Sequence, residues 1–571
     1  MIKNNQGTIS TSIEERNPHT NSSLAYQSTA ESTKFPSHKI SEIPGTRSHL
    51  EEWLISKLIQ GRYHFCLNYL DDLPADTVES QTNLMVIKAA AMVFCDYPVD
   101  KIHHILNKAD KLIIGDNLQG EIFSLKAKTE IHLGHINKGI QLSHKAHSEI
   151  LPDNIFYRKL IERNLGIAYT IKGDLRNAVI WFEHLLLSGF KVWNVNDILA
   201  SYYYLGFIHR IQGQLRIASV INRKALIFIH QNQLQHFPFS IKVIAGYGHL
   251  LMHRHHIDEA IKQFKQAIQL AKMTNLLNAH AAYHALCEAF IRKNDIEQAV
   301  DTLQRYHNQI GKAEDRYGHL HSVQAQAIEA RINLEKGTLD QAYKWVLMRG
   351  FNHPSLDVFQ NKFRYELGYS LPVAAMIFIA KEMPDHAIEL LSQIIPKFVH
   401  QGANSYLIRA LNTLAIAYYQ AGETLKAKII INKAIRLGHA ENNLGDFIFL
   451  GKKLLPILKE GMKSCSAPEF SLMLISILTN MKTNEHDRSD LDRDSISLSR
   501  RELEVLNLLS KGLTNQEIAK NLFLSANTVK SHTIKIYRKL NVNNRNRAVS
   551  KARQLGILPD KVTQIRQPSA C

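Results

Sequence analysis

Apolar residues recur at spacings of three and four from about Ser48 to Lys459. That is the period of helices with one buried face, and strand-like alternation is scarce. Within this stretch small residues come in pairs twelve apart: Ala127/Gly139, Gly166/Ala178, Gly206/Ala218, Gly248/Ala260, Cys287/Ala299, Ala330/Ala342, Ala375/Ala387 and Ala415/Ala427. Successive first members lie 39, 40, 42, 39, 43, 45 and 40 residues apart. Between partners comes a turn, often with glycine: Gly134, Gly173, Gly213, Gly337 and Gly422. Two antiparallel helices approach closely only where side chains are small. A helix of about three turns, a short loop and a return place such residues opposite each other. The pattern predicts an α-solenoid of helical hairpins. Segments near 49–72 and 83–112 read as degenerate units or an N-terminal cap, and a further helix is expected near 468–481.

The pattern changes at the C-terminus. Ser499 and Glu502 form a capping box, and Gly512 stops a first helix over about 500–511, with Leu503, Leu506 and Leu509 facing inward. Thr514 and Glu517 form a second box and open a short helix over 515–522, with Ile518, Ala519 and Leu522 inside. Phe523, Leu524 and Ser525 make the turn, and Ser525 caps a third helix over about 526–540. Asn544 caps a fourth over 545–554, closed by Gly556. On the third helix Val529, Ile536 and Leu540 follow core spacing. Its other face carries Asn527, Lys530, Ser531, Ile534, Lys535 and Arg538. A long polar face on the second helix of a tight pair suits the major groove of DNA. Lys530 can donate to guanine or phosphate, Ser531 is a small ambivalent hydrogen bonder, and Ile534 suits a thymine methyl. Thr514, Asn515, Lys539 and Arg545 sit at helix ends, where phosphate contacts are common; Thr528 completes the set.

Charge strengthens that reading. The formal net charge is +17. Residues 497–571 hold fourteen Lys or Arg against four Asp or Glu, so more than half of the excess sits in the last eighth of the chain. Such a patch attracts phosphate, which favours nucleic acid over an acidic protein. The five cysteines are scattered without a C-x-x-C pair, which argues against disulfides or zinc. No secretory leader is evident and no apolar run spans a bilayer, so a cytoplasmic protein without membrane contact is expected. Residues 1–46, rich in Ser, Thr and Asn, read as a disordered lead. The array is placed at 47–462, a linker at 463–496 with a polar hinge over Lys482–Asp494, the DNA-binding domain at 497–560 and a flexible tail at 561–571.

The repeat resembles the tetratricopeptide family: Leu165–Phe182 carries L-G-x-x-Y, then Ala178 and Phe182, although the period exceeds that family's 34 residues. The C-terminal stretch resembles the LuxR-type (GerE-type) helix-turn-helix of bacterial transcription regulators. Arg501-Glu502-x-Glu504-Val505-Leu506, Gly512-Leu513-Thr514-Asn515-x-Glu517-Ile518-Ala519, Leu524-Ser525, Thr528-Val529-Lys530-x-His532, Ile536-Tyr537-x-Lys539-Leu540 and Arg545-x-x-Ala548 all match. That resemblance implies that Lys530, Ser531 and Ile534 take the base-facing positions and that His532 is structural. Lys535 and Asn541 depart from the residues many relatives carry. The layout resembles the C-terminal two-thirds of MalT-type activators, in which an ATPase module comes first. No G-x-x-x-x-G-K-[ST] is present, so ATP-driven assembly is not carried over.

The expected protein is all-α, with no catalytic residues, no cofactor and no metal. It is read as a transcription regulator that binds double-stranded DNA as a homodimer, works with RNA polymerase, and senses a small effector or a protein on the concave face of its array. The other reading is a scaffold, or a sigma-factor-like protein, whose helix-turn-helix docks the transcription machinery. The histidines at 249, 253, 255 and 256 fall at a repeat end without carboxylate or cysteine at ligand spacing, and are read as non-metal. Tyr202, Tyr203 and Tyr204 are read as packing residues rather than a ligand groove.

Overall fold

A computed structural model describes residues 49–95, 97–112, 118–192, 194–235, 237–273, 279–309, 320–352, 367–462, 465–481, 500–522, 524–540, 542–554 and 558. The lead at 1–46, the hinge at 482–494, the tail at 561–571, and Ser499, Phe523 and Gly556 lie outside the described residues. The chain divides into Met1–Leu50 and Glu51–Cys571. Of the first unit only His49 and Leu50 are described; the second unit holds all the other described residues.

Every regular element among the described residues is a helix. Eight hairpins carry the eight small-residue pairs: Gln119–His132 with Ile136–Glu149, Ile155–Lys172 with Leu175–Lys191, Val195–Ile211 with Leu215–Gln231, Pro238–His253 with Ile257–Lys272, His280–Arg292 with Ile296–Gln309, Leu320–Glu335 with Leu339–Met348, Leu367–Ala380 with Pro384–Gln401, and Asn404–Gln420 with Thr424–Ala440. Five further helices, His49–Ile59, Tyr63–Asp71, Ala75–Glu79, Thr82–Phe94 and Val99–Leu112, precede them.

The paired residues meet as their spacing requires. Cys287 Sγ lies 3.6 Å from the Ala299 carbonyl oxygen. A methyl added to Gly139 would stand 3.2 Å from the Ala127 oxygen. The glycines also receive a large side chain one turn beyond their small partner. A methyl on Gly166 would come within 2.7 Å of the Phe182 ring, and one on Gly248 within 2.5 Å of Phe264. The small residue is therefore a socket for a ring as well as a point of close approach.

All eight hairpin turns place one residue in the left-handed region. Five are the glycines at 134, 173, 213, 337 and 422; the other three are His255, Asn294 and Glu382, with φ of 62°, 60° and 59°. His255 thus belongs to a turn, in keeping with its counterparts in the equivalent loops.

Each first helix packs against the first helix of the next hairpin as well as against its own partner. This crowding on one side curves the array with the first helices inside. The curve closes on itself. Ser405 Oγ donates to the Arg210 carbonyl at 2.8 Å, and the Arg216 amide donates to Glu441 at 2.9 Å.

Residues 443–450 then turn inward and cross five first helices. Gly445 lies so close to Pro238–His253 that a methyl would stand 2.2 Å from the Met252 oxygen. Arg292 donates to the Gly445 carbonyl at 3.0 Å and Arg331 to that of Phe449 at 2.9 Å. Tyr369 meets the Phe449 ring edge-on at 5.8 Å. Arg331 and Arg409 sit over that ring at 4.8 and 5.0 Å. Asp446, fully buried, accepts from Arg409 Nε at 2.5 Å and Asn443 Nδ2 at 2.7 Å, with His253 Nδ1 at 3.3 Å. Burial alone would raise the Asp446 carboxyl; Arg409 and His253 outweigh it and hold the group far below the usual carboxylate range. Sequence spacing gives the histidine cluster no carboxylate partner. Asp446 supplies one to His253 from 193 positions away in sequence. Tyr202 is buried, whereas Tyr203 and Tyr204 stay partly exposed, so packing describes only the first of the three fully.

Two substitutions test these contacts. Asp446→Ala strands the largely buried Arg409 and is expected to lower stability by about 3–5 kcal/mol. Glu382→Gly, at an exposed left-handed turn, is expected to raise it by about 0.5–1 kcal/mol. Urea denaturation monitored by far-UV circular dichroism reads both.

Candidate nucleic-acid interface

Four helices build the C-terminal domain: Arg500–Ser510, Asn515–Leu522, Ala526–Lys539 and Arg545–Gln554. Four of their ends are fixed by local chemistry that the sequence announces. Gly512 takes φ of 91° after the first helix. The Thr514 amide donates to Glu517 at 2.7 Å and the Glu517 amide returns to Thr514 Oγ1 at 3.3 Å, a closed capping box. The backbone and hydroxyl of Thr514 hold the exposed Glu517 carboxyl below its ordinary value. Ser525 Oγ accepts from the Thr528 amide at 3.1 Å, and Asn544 Oδ1 from that of Arg547 at 2.9 Å.

Val529, Ile536 and Leu540 are fully buried against Val505, Leu506, Ile518, Ala548 and Ala552. Leu503, expected inside, is only partly buried, and Val505 takes the deeper place. Two neighbouring positions satisfy the helical period about equally, so spacing alone does not separate them.

The opposite face of Ala526–Lys539 is open. Asn527, Lys530, Ser531, Ile534, Lys535 and Arg538 are all exposed, and Thr528 partly so. Ile534 is 56% exposed, an apolar side chain left in water amid polar neighbours. Thr514 is exposed, whereas Asn515 is half-buried at the start of its helix.

Lys539 and Arg545 are differently placed. Lys539 Nζ lies 2.7 Å from Glu502, whose side chain is only 4% exposed. Arg545 donates to the Leu509 carbonyl at 2.6 Å. Arg501 bridges Glu504 at 2.6 Å and the Leu522 carbonyl at 2.7 Å. These three cations tie the first helix to the third, fourth and second in turn. In the sequence Glu502 reads only as half of a capping box. Its buried ion pair is not visible there, because a local motif does not show which lysine 37 residues later comes back to it. His532 is half-buried, and its Nδ1 is buried without a hydrogen-bond partner among the described residues.

The arrangement is a scaffold tied at three points that presents one basic helix. A positive side chain, a hydroxyl and a branched apolar group, at positions 530, 531 and 534, share its exposed face. That combination can meet phosphate oxygens, base edges and thymine methyls in a groove about 12 Å wide.

Two family models match separate stretches of the chain. Residues 120–464 match the family of the MalT-like TPR region. Residues 496–552 match the bacterial regulatory proteins of the luxR family. The HTH-type transcriptional regulator MalT of Cronobacter sakazakii (strain ATCC BAA-894) is 24% identical over 523 residues, covering 85% of this chain and 55% of that protein. The chain thus spans about half the length of this curated relative. Among solved structures, the crystal structure of the APC/C hetero-tetramer Cut9-Hcn1 aligns with 12% identity over 75% of this chain and 89% of that one. Its TM-score of 0.31 is too low to bear on the argument.

The two classes of cation are separable by melting. Lys530→Ala is expected to leave thermal stability within about 0.5 kcal/mol of the parent, because the side chain is exposed. Glu502→Ala, which removes the buried anchor of the first and third helices, is expected to lower the stability of this domain by about 1–3 kcal/mol.

Proposed function

The chain belongs to the family of the MalT-like TPR region, and we propose that it is a sequence-specific DNA-binding transcription regulator whose helical array controls a C-terminal reader. The observation that carries this is the open face of Ala526–Lys539, with Lys530, Ser531 and Ile534 exposed over a fully buried core. LuxR-type helix-turn-helix regulators bind DNA, and residues 496–552 match that family.

In this reading Lys530 and Ser531 donate to base edges and Ile534 lies against a thymine methyl. Asn527, Lys535 and Arg538 flank them and reach phosphate or the outer bases. Thr514, Asn515 and Thr528 offer backbone amides or hydroxyls to the phosphate chain near helix starts, where the dipole favours an anion. Lys539 and Arg545 contribute their remaining donors at the same edge, after first serving the domain's own packing. A reader of this size buries little surface, so specific affinity comes from two copies on paired half-sites. RNA polymerase is the partner through which occupancy changes transcription. The array receives the signal, a small effector or a protein.

Selection from a random duplex library, followed by anisotropy titrations of full-length protein, tests the reader. Lys530→Ala is expected to relax preference at one position of each half-site by about 1–3 kcal/mol. Arg538→Ala is expected to weaken binding to all duplexes alike and to lower the salt slope by about 1. Unchanged selection and unchanged salt slope in both variants overturn the assignment.

A further inference from the structure

Arg292, Arg331 and Arg409 each have a carboxylate: Glu288 at 2.8 Å, Glu335 at 2.8 Å and Asp446 at 2.5 Å. Arg210, which adjoins this network, has none within ion-pairing distance among the described residues. Its guanidinium carries five N–H donors, yet its side chain has one polar contact there, Nη1 to His253 Nε2 at 3.4 Å, besides the Phe207 ring at 5.3 Å. His253 faces Asp446 through Nδ1, so Nε2 is left to accept from Arg210 and the imidazole is neutral. It adds a lone pair and no counter-charge. Arg292 Nη2 is also buried with no hydrogen-bond partner among the described residues.

Arg210 remains reachable. Tyr203, Phe207 and Arg210 share one face of the first helix Val195–Ile211, and all three are partly exposed. His249, one turn before His253 on the adjoining first helix, is partly exposed as well. The rings continue as a surface: Phe207 stands 6.2 Å from Tyr203, Tyr203 is 4.9 Å from Tyr204, and Tyr204 stacks on Phe182 at 4.5 Å. Burial, with the positive charges of Arg210 and Arg409 nearby, holds the His249 imidazole well below its usual value, so at neutral pH it is a neutral donor or acceptor.

We propose that Arg210 is the anchor of a small-ligand site on the inner face of the array, taking an organic monocarboxylate with a ring or other apolar body. The carboxylate pairs with the planar guanidinium, which matches two oxygens at once. His249 is the second polar contact, and the body lies along Phe207 and Tyr203. The site names the chemical class of effector for the sensing half of the proposed function, on which it rests. Residues 443–450 cover the inner faces farther along, whereas Tyr203, Phe207 and Arg210 stay partly exposed.

Isothermal titration calorimetry of the full-length protein with benzoate, benzyl alcohol and phenyl phosphate tests the site. Benzoate is expected to bind saturably, with benzyl alcohol about tenfold weaker or more, since it lacks the charge-assisted pair. Arg210→Gln is expected to lose the preference for benzoate; Arg223→Gln, exposed on an outer helix, keeps it. Should Arg210→Gln fail to fold, Arg210→Lys keeps the charge without the planar fork and is expected to weaken benzoate several-fold. Equal binding of benzoate and benzyl alcohol, benzoate affinity unchanged in both Arg210 variants, or no heat at millimolar ligand overturns the proposal. Tighter binding of phenyl phosphate than of benzoate overturns the carboxylate assignment. The titration contains no DNA, so its failure leaves the reading face intact, and failure of the duplex titrations leaves this site intact.

Discussion

A carboxylate carried into a protein interior is stable only if its lone pairs are answered there, and Asp446 is answered by Arg409, Asn443 and His253. That requirement organises the middle of the molecule. The segment that delivers Asp446 also brings the Gly445 and Phe449 carbonyls to Arg292 and Arg331, so first helices from five hairpins converge on one short stretch of chain. Gly445 has no side chain because the backbone of Pro238–His253 leaves no room for one. An inner face that would otherwise be an open groove is thereby turned, over much of its length, into core.

The hairpins themselves are legible in the sequence because their determinants are local. A small residue must recur where two helices touch, and a turn must return the chain within a few residues, so a spacing of twelve can be read by eye. Five of the eight turns also show their left-handed residue as glycine; His255, Asn294 and Glu382 hide it, since nothing in their chemistry requires that conformation. What spacing does not show is pairing across distance. Asp446 with His253, Ser405 with Arg210 and Glu441 with Arg216 each join residues nearly two hundred or more positions apart. Their identities are ordinary, and only the curvature of the array brings them together.

The C-terminal domain shows the same split at smaller scale. Its caps and most of its core follow from neighbours three and four residues away. Its cations do not sort themselves by sequence. Lys530 and Lys539 look alike on a helical face, but one stands in solvent and the other closes on a buried Glu502. Residues that hold the helices together set the pose from which the exposed ones act. A motif therefore mixes two kinds of constraint that only geometry separates.

The contact between Val195–Ile211 and Asn404–Gln420 also bears on how the chain reaches its native state. Linear repeat arrays gain stability one neighbour at a time, so a partial array is already a smaller version of the whole. Here the early turns wait for a late segment. During synthesis the hairpins after residue 195 emerge before Asp446, the carboxylate partner of Arg409, and the carbonyls that accept from Arg292 and Arg331 exist, and they are completed only when residues 443–450 leave the ribosome. Loop closure over such a span is slow, and the incomplete inner face is the surface on which a chaperone has most to protect.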